Sequence, residues 1–254
     1  MSIYAYCLLR LPLEETWPIL NGVGQHPVFP FRAGKYAMLL SRLERNFPFT
    51  PRSIVEHAQI VARAFEDHTV LPMRFGTFFN SEKQIEQLIR ENREELLETF
   101  CRLRGKAEMR MKVTVSPVPL PVSSEDQAVQ KPPRKSGFSA NDIPEGVDLP
   151  VDAATREFAA QITTLMREIF HPAAEQVSCR RLHTGELVVD CAHLVETQRV
   201  IGYQRLLPLA EEHIKECTLR MTGPWPPYHF LPSAIRLPSY SLRPLTRKAA
   251  AVMR

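Results

Sequence analysis

Glycine is scarce in this chain, at 10 of 254 residues, against a usual share of about 7%. The shortage excludes a collagen-like repeat, which needs glycine at every third position. It also leaves little material for a glycine-rich phosphate cradle, and no GxGxxG loop, Walker-type loop or metalloprotease helix motif occurs. No apolar run approaches the ~18 residues that a membrane helix needs, so no membrane partner is expected. The apolar stretch Met1 to Leu13 carries Arg10 behind it rather than a basic residue ahead of it. That is the reverse of a signal peptide's order, and the stretch reads as a first strand. There is no CxxC; Cys7, Cys101, Cys179, Cys191 and Cys217 are scattered and odd in number. Without an export signal, reduced thiols in a cytosol are the expectation.

Proline is what the chain has in excess, with 22 residues against a usual share of about 5%. With 44% hydrophobic residues and a net charge of only +4, the chain as a whole is not disordered, so the prolines must be local. Seven lie between Ser116 and Pro150, among Ser, Lys, Gln and Glu and without hydrophobic period. Residues 116–150 therefore read as a proline-rich linker or insertion, partly extended. Six more lie beyond Thr222. From Ser233 the tail carries five basic groups and no acidic one. A solvated terminus is the expectation there; an acidic partner or nucleic acid is the alternative, and so few, so spread basic residues make a poor nucleic-acid site.

Hydrophobic period supplies the elements on either side of the linker. Residues 1–115 read as an α+β domain. Ile3–Leu9 and Tyr36–Leu43 are strands, with His26–Phe31 a short partner. A helix opens at Ser53, with Glu56 completing a capping box, and Val70–Phe75 is a buried strand. A second capped helix runs from Ser81 through Leu103 to a stop at Gly105. Met109–Val115 alternates apolar and polar residues as a half-buried strand. Residues 151–232 read as helix, strand, strand, helix, strand, with Pro208 splitting the second helix. That order is most of a ferredoxin-like unit, an antiparallel sheet with helices on one face. The expected layout is thus two α+β domains, 1–115 and 151–232, followed by a basic tail over 233–254.

Two segments stand out. The first is Val70-Leu71-Pro72-Met73-Arg74-Phe75-Gly76-Thr77-Phe78-Phe79; the second is Leu219-Arg220-Met221-Thr222-Gly223-Pro224-Trp225-Pro226-Pro227-Tyr228-His229-Phe230. In the first, Leu71, Met73, Phe75 and Phe78 suit a core, and Arg74 can reach a carboxylate with its planar fork. Either Arg74 pairs with an acidic neighbour or the exposed part of the segment meets a partner. In the second, prolines fix φ and Trp225, Tyr228 and Phe230 offer rigid aromatic area of the type that dominates protein interfaces. The plainer reading is an aromatic plug that closes the second domain or seats it on the first.

Together with His57, Gly105 to Val113 and Leu194-Val195, these segments resemble the gas vesicle GvpL/GvpF family over residues 1–115 and 153–231. The resemblance implies two α+β domains, the second ferredoxin-like. It also implies a non-enzymatic component or assembly factor of gas vesicles in the cytoplasm, with the hydrophobic shell protein and other accessory proteins as partners. No cofactor, metal or small-molecule ligand follows from it. Arg74, Phe75, Trp225, Pro226, Pro227, Tyr228 and Phe230 are the candidate interaction residues. The long 116–150 segment, Asp190-Cys191-Ala192-His193 in place of an Asn-Ala-Ala-type strand, Pro208 and the basic tail depart from the family pattern. The alternatives are a soluble α+β binding module with other partners, or zinc held by Cys179, His183, Cys191 and His193, whose spacing matches no known zinc motif.

Overall fold

The computed structural model describes residues 2–115 and 153–232, apart from 13, 45, 185, 186 and 216. The proline-rich segment 116–150 and the basic tail lie outside the described residues. The chain divides into two compact units, one made of Met1–Glu108 with the segment from Trp225 onward, the other of Met109–Pro224.

The first unit is built on a sheet. Its strands are β1 (Ser2–Arg10), β2 (Leu20–Asn21), β3 (Pro27–Ala33), β4 (Tyr36–Leu43), β5 (Val70–Pro72) and β6 (Phe78–Phe79). They run in the order β2-β3-β4-β1-β5, with β6 also on β1. β1 is antiparallel to β4, from Ser2 opposite Leu43 to Arg10 opposite Tyr36, with a register shift between Ala5 and Cys7. Tyr4 to Leu9 are all buried, which explains why β1 reads as a continuous apolar run instead of an alternating one. Tyr6 sets the position of the loop before β3: its hydroxyl meets Ser41 Oγ at 2.9 Å and accepts the Val23 amide at 2.9 Å. Gly22 must be glycine there, because a Cβ would sit 2.1 Å from the Tyr6 oxygen.

The helix α1 (Pro51–Asp67) begins earlier than its sequence pattern predicts. Pro51 occupies the first turn, where a missing N–H costs nothing, and Ser53 Oγ accepts the Thr50 amide at 3.2 Å. Glu56, the expected capping partner of Ser53, reaches away instead and accepts the Gly24 amide at 2.8 Å. Ile60, Val61 and Ala64 of α1 pack on Tyr4, Tyr6, Leu9 and Leu39. The single long helix expected after Ser81 is two, α2 (Glu82–Glu91) and α3 (Arg93–Leu103). Asn92 breaks it: its own side chain donates to the Leu88 carbonyl at 2.7 Å, competing with the backbone for the helical partner.

The second unit begins within β7 (Lys106–Val115) and continues with α4 (Ala153–Phe170), β8 (Gln176–Thr184) and β9 (Leu187–Glu196). Two short helices follow, α5 (Val200–Gln204) and α6 (Leu207–His213), with Pro208 in the first turn of α6. β10 (Cys217–Trp225) closes the unit. The sheet order is β10-β7-β9-β8, which makes β7 the first strand of a complete β-α-β-β-α-β ferredoxin-like unit. This corrects the expected boundary at Val115: the half-buried strand assigned to the first domain belongs to the second sheet. Met109, Met111 and Val113 face Ile162, Met166 and Phe170 of α4 in its core. Arg110 pairs with Asp190 on β9.

Each unit buries a histidine. His57 is held between the Tyr4 hydroxyl, 2.8 Å from Nδ1, and the Met73 carbonyl, 3.1 Å from Nε2. A carbonyl only accepts, so Nε2 carries the proton and Tyr4 donates to Nδ1. His193, wholly buried beside Phe170, has its Nδ1 2.7 Å from the Tyr203 hydroxyl. Burial lowers both imidazoles from 6.5 to about 4, with the Met73 carbonyl opposing in the case of His57. Their folded pKa is depressed, so the neutral forms contribute fully above pH 6.5, and that contribution is lost as pH falls from 6.5 towards 4. Each is expected to remove on the order of 3 kcal/mol of unfolding free energy across that window. Urea melts at stepped pH measure it. His57→Gln and His193→Gln are expected to flatten the dependence, and an unchanged slope in both variants contradicts the assignment.

Candidate interaction site

The first of the two distinctive segments is fixed at both ends to β1. Cys7 pairs with Pro72, Met73 donates its amide to the Tyr6 carbonyl at 2.8 Å, and the Thr77 carbonyl accepts the Ala5 amide at 3.0 Å. Between them the chain turns tightly. The Thr77 amide and hydroxyl both donate to the Arg74 carbonyl, at 3.1 and 2.7 Å. Gly76 takes φ 83°, which its missing Cβ permits. The strand expected over Val70–Phe75 therefore stops at Pro72, because Arg74 to Thr77 spend their hydrogen bonds on the turn.

The turn sorts its side chains. Phe75 goes inward, 4.9 Å from the Phe49 ring and 5.8 Å from His57 between centroids. Leu71 and Met73 are buried, and Phe78 packs on the same aromatic cluster through Tyr4 at 5.2 Å. Arg74 goes outward and is exposed. Among the described residues it has no ion-pair partner, so the acidic neighbour that its position suggested is not there.

The second segment leaves β10 at Trp225 and joins the first unit. Pro226 and Pro227 are buried, and Tyr228–Phe230 form a 3-10 turn. Phe230 is buried, while Trp225 is 46% and Tyr228 37% exposed. The clasp that holds this turn is Glu108, itself 1% exposed. Its carboxylate accepts the His229 amide at 2.8 Å and His229 Nδ1 at 2.6 Å. Arg102 adds a bond to the Phe230 carbonyl at 2.6 Å.

The first segment borders Tyr4. The Tyr4 hydroxyl accepts the Gly76 amide at 3.5 Å. Burial pushes the Tyr4 phenol up, against the Gly76 hydrogen bond, and Tyr6 and then Tyr228 add to the rise. The Tyr228 phenol is likewise raised, first by burial and then by Cys7 and Glu108. Of the seven candidate residues, Arg74, Trp225 and Tyr228 present surface. Pro226, Pro227 and Phe230 anchor the second segment, and Phe75 anchors the first. Glu108, His229 and Arg102 were not among them. A lone glutamate between Ala107 and Met109 in a half-buried strand was the available signal, but its partner lies 121 residues away.

The proposed zinc ligands are placed otherwise. The β8–β9 register sets Cys179 opposite Cys191, and the two are joined in a disulfide with Cα atoms 4.1 Å apart. That corrects the expectation of five reduced thiols; Cys7 and Cys101 stand outside any disulfide. His193 faces Tyr203 in the core, and the side chain of His183 lies outside the described residues. Among the described residues no three His, Cys, Asp or Glu side chains gather as metal ligands, and no helix is long and apolar enough to cross a membrane.

A glutamine at 108 keeps one acceptor oxygen but sets its NH2 against the other of the two His229 donors. Glu108→Gln is thus expected to destabilise the protein by about 2 kcal/mol and to speed hydrogen exchange at the His229 amide. Unchanged His229 protection contradicts the clasp.

Comparison with known proteins meets this geometry. The family model described as gas vesicle synthesis protein GvpL/GvpF matches residues 2–232. Gas vesicle protein F of a Streptomyces species is 24% identical over 238 residues, covering 91% of this chain and 100% of its own length. Gas vesicle protein F1 of Halobacterium salinarum is 24% identical over 235 residues, covering 91% and 92%. The crystal structure of GvpF from an Anabaena species superposes with a TM-score of 0.67 at 17% identity, over 91% of this chain and 98% of that one. GvpF from Microcystis aeruginosa gives 0.68 at 18%, over 91% and 99%; at such identities the two structures speak for the fold. A family model matched over nearly the whole described chain carries the assignment: this protein belongs to the GvpL/GvpF family.

Proposed function

We propose that the protein serves gas vesicle formation by binding other proteins, the hydrophobic shell protein and accessory proteins, without catalysing a reaction. On this reading it works in the cytoplasm at the forming or finished vesicle. The observation that carries the proposal is that Trp225, Tyr228 and Arg74, in the two family-bearing segments, are open to solvent around buried anchors.

The physics favours a docking role for these side chains. Tryptophan, tyrosine and arginine contribute most per residue when a protein interface closes over them. Here the backbone beneath the aromatics is already ordered by Pro226, Pro227, the Glu108 clasp and the Arg102 bond. Less entropy remains to be lost on binding, so more of the contact energy becomes affinity. The prolines offer no amide for strand addition, which limits aggregation beside a sticky partner.

Trp225→Ala with Tyr228→Ala is expected to weaken capture of the shell protein at least about tenfold, the loss of roughly 1.4 kcal/mol, with the circular dichroism spectrum unchanged. Retained capture overturns the proposed face. Loss of the folded spectrum shows instead that the two rings are structural plugs. Deleting the gene in a vesicle-forming host is expected to abolish or misshape vesicles in electron micrographs; normal vesicles overturn the functional reading.

A further inference from the structure

The Cys179–Cys191 disulfide joins two strands of unequal standing. β9 lies between β7 and β8, while β8 is an edge strand with a single neighbour. Cys191 on β9 is wholly buried in the core cluster that holds Met166, Phe170 and Val195. Cys179 on β8 packs against that cluster from a half-buried position. The bond lies inside the regular part of the ladder, which runs from Gln176 opposite Leu194 to Arg181 opposite Val189; beyond Arg181 the register shifts.

A staple for the whole fold would be placed differently. A disulfide stabilises most when it closes a long loop. These two cysteines are 12 residues apart, and the β8–β9 ladder already closes that loop. The bond therefore ties down one edge strand and no distant segment. The cytoplasmic reading above also sets it among reducing thiols, where cysteine pairs that do oxidise are usually transient or redox-sensing. Its two sulfurs differ in access: an attacking thiolate can reach Cys179 and not Cys191. Two separate thiols need more room than two bonded sulfurs. Cys191 is fixed by the core, so after reduction the edge strand is the part that yields. Cys7 takes no part in such exchange, because it is wholly buried and burial pushes its thiol up.

We propose that Cys179 and Cys191 form a thiol–disulfide switch: oxidised, it pins the edge strand β8 to β9; reduced by a low-molecular-weight thiol, it lets β8 fray. In the first step a thiolate of the reductant bonds to Cys179 Sγ, the protein's S–S bond breaks, and its electron pair leaves on Cys191 Sγ, which takes up a proton. A second reductant thiolate then attacks the reductant sulfur of this mixed disulfide. It leaves with that sulfur as the reductant's own disulfide, and Cys179 takes up a proton. Two protein sulfurs are reduced and two reductant sulfurs oxidised. An edge strand loosened in this way exposes backbone donors and acceptors that a fixed ladder keeps paired.

The switch rests on the cytoplasmic reading for its reductant, but its test needs neither shell protein nor vesicles, so it and the docking face of Trp225 and Tyr228 can fail separately. Cys101 is exposed, and the full chain is therefore used as Cys101→Ser to prevent cross-linking between molecules. It is equilibrated in mixtures of reduced and oxidised glutathione, alkylated and mapped by mass spectrometry, with hydrogen exchange followed in parallel. Cys179 and Cys191 are expected to become alkylated together in one transition as reduced glutathione rises. Over the same transition the β8 amides are expected to exchange at least about tenfold faster, while β7 and β1 keep their protection. Cys179→Ser is expected to show the fast β8 exchange in every mixture. Alkylation of the pair in oxidised glutathione alone shows that no disulfide forms and overturns the proposal. A pair that resists excess reduced glutathione until urea is added is a fixed staple, which overturns it as well. Unchanged β8 exchange on reduction, loss of protection in β7 and β1 together with β8, or a protected β8 in Cys179→Ser each does the same.

Discussion

The buried imidazole of His57 is where the sheet, the helix α1 and the turn after β5 are tied together in the first unit. It stands on α1, accepts a hydrogen bond from the Tyr4 hydroxyl on β1, and donates one to the Met73 carbonyl at the start of the turn. Each of these groups would be a costly orphan if either neighbour shifted, since a buried polar atom without a partner costs about 1–3 kcal/mol. The tautomer admits no alternative arrangement, because Met73 offers only a carbonyl. With Tyr4 so placed, its oxygen meets the Gly76 amide, the turn closes, and Phe75 and Arg74 are directed to opposite sides. The exposure of Arg74 is therefore a distant result of a hydrogen bond it does not make.

β7 applies a comparable constraint along one strand. Glu108 near its start receives His229, while Met109, Met111 and Val113 enter the core of the second sheet and Arg110 meets Asp190. A change in the register of β7 would displace the Glu108 clasp and the Met109 packing together, since a one-residue slip exchanges the two faces of a strand. A carboxylate is the costliest residue to bury in such a strand. Its position here is matched by a backbone amide and an imidazole, so the cost is met by bonds that order the Tyr228 turn.

Period and capping chemistry made much of this legible from residues alone. α1, α4 and the strands β1 and β4 follow from local patterns, as does the division of the last helical stretch at Pro208. Local cues misled where two of them competed. Ser53 with Glu56 resembles a capping box, yet Pro51 moves the helix start and frees Glu56 for Gly24. Asn92 was hidden inside a good amphipathic pattern. What stayed illegible was pairing over distance. Neither the Cys179–Cys191 register nor the Glu108–His229 bond is encoded in spacing, and β7 carries the same alternation whichever sheet it joins. Proline and aromatic patterns also do not distinguish a buried ring such as Phe230 from an exposed one such as Trp225.

That distinction follows from where the prolines can go. Pro226 and Pro227 have no amide hydrogen to leave unsatisfied, so they can be buried at little polar cost. His229, the residue in this turn with an amide facing the buried side, finds Glu108. The backbone can thus be sunk into the first unit at its prolines and its clasped histidine, and the residue between them is left to face outward. Tyr228 occupies that position, and Trp225 stands just before the prolines. An exposed aromatic on a mobile loop would gain by folding back onto any apolar surface; one on a backbone held at both sides has no such freedom and keeps its ring available. The proline excess that marks the composition is, in this segment, what allows large aromatic surface to be displayed without the strand-pairing edge that would make it aggregate.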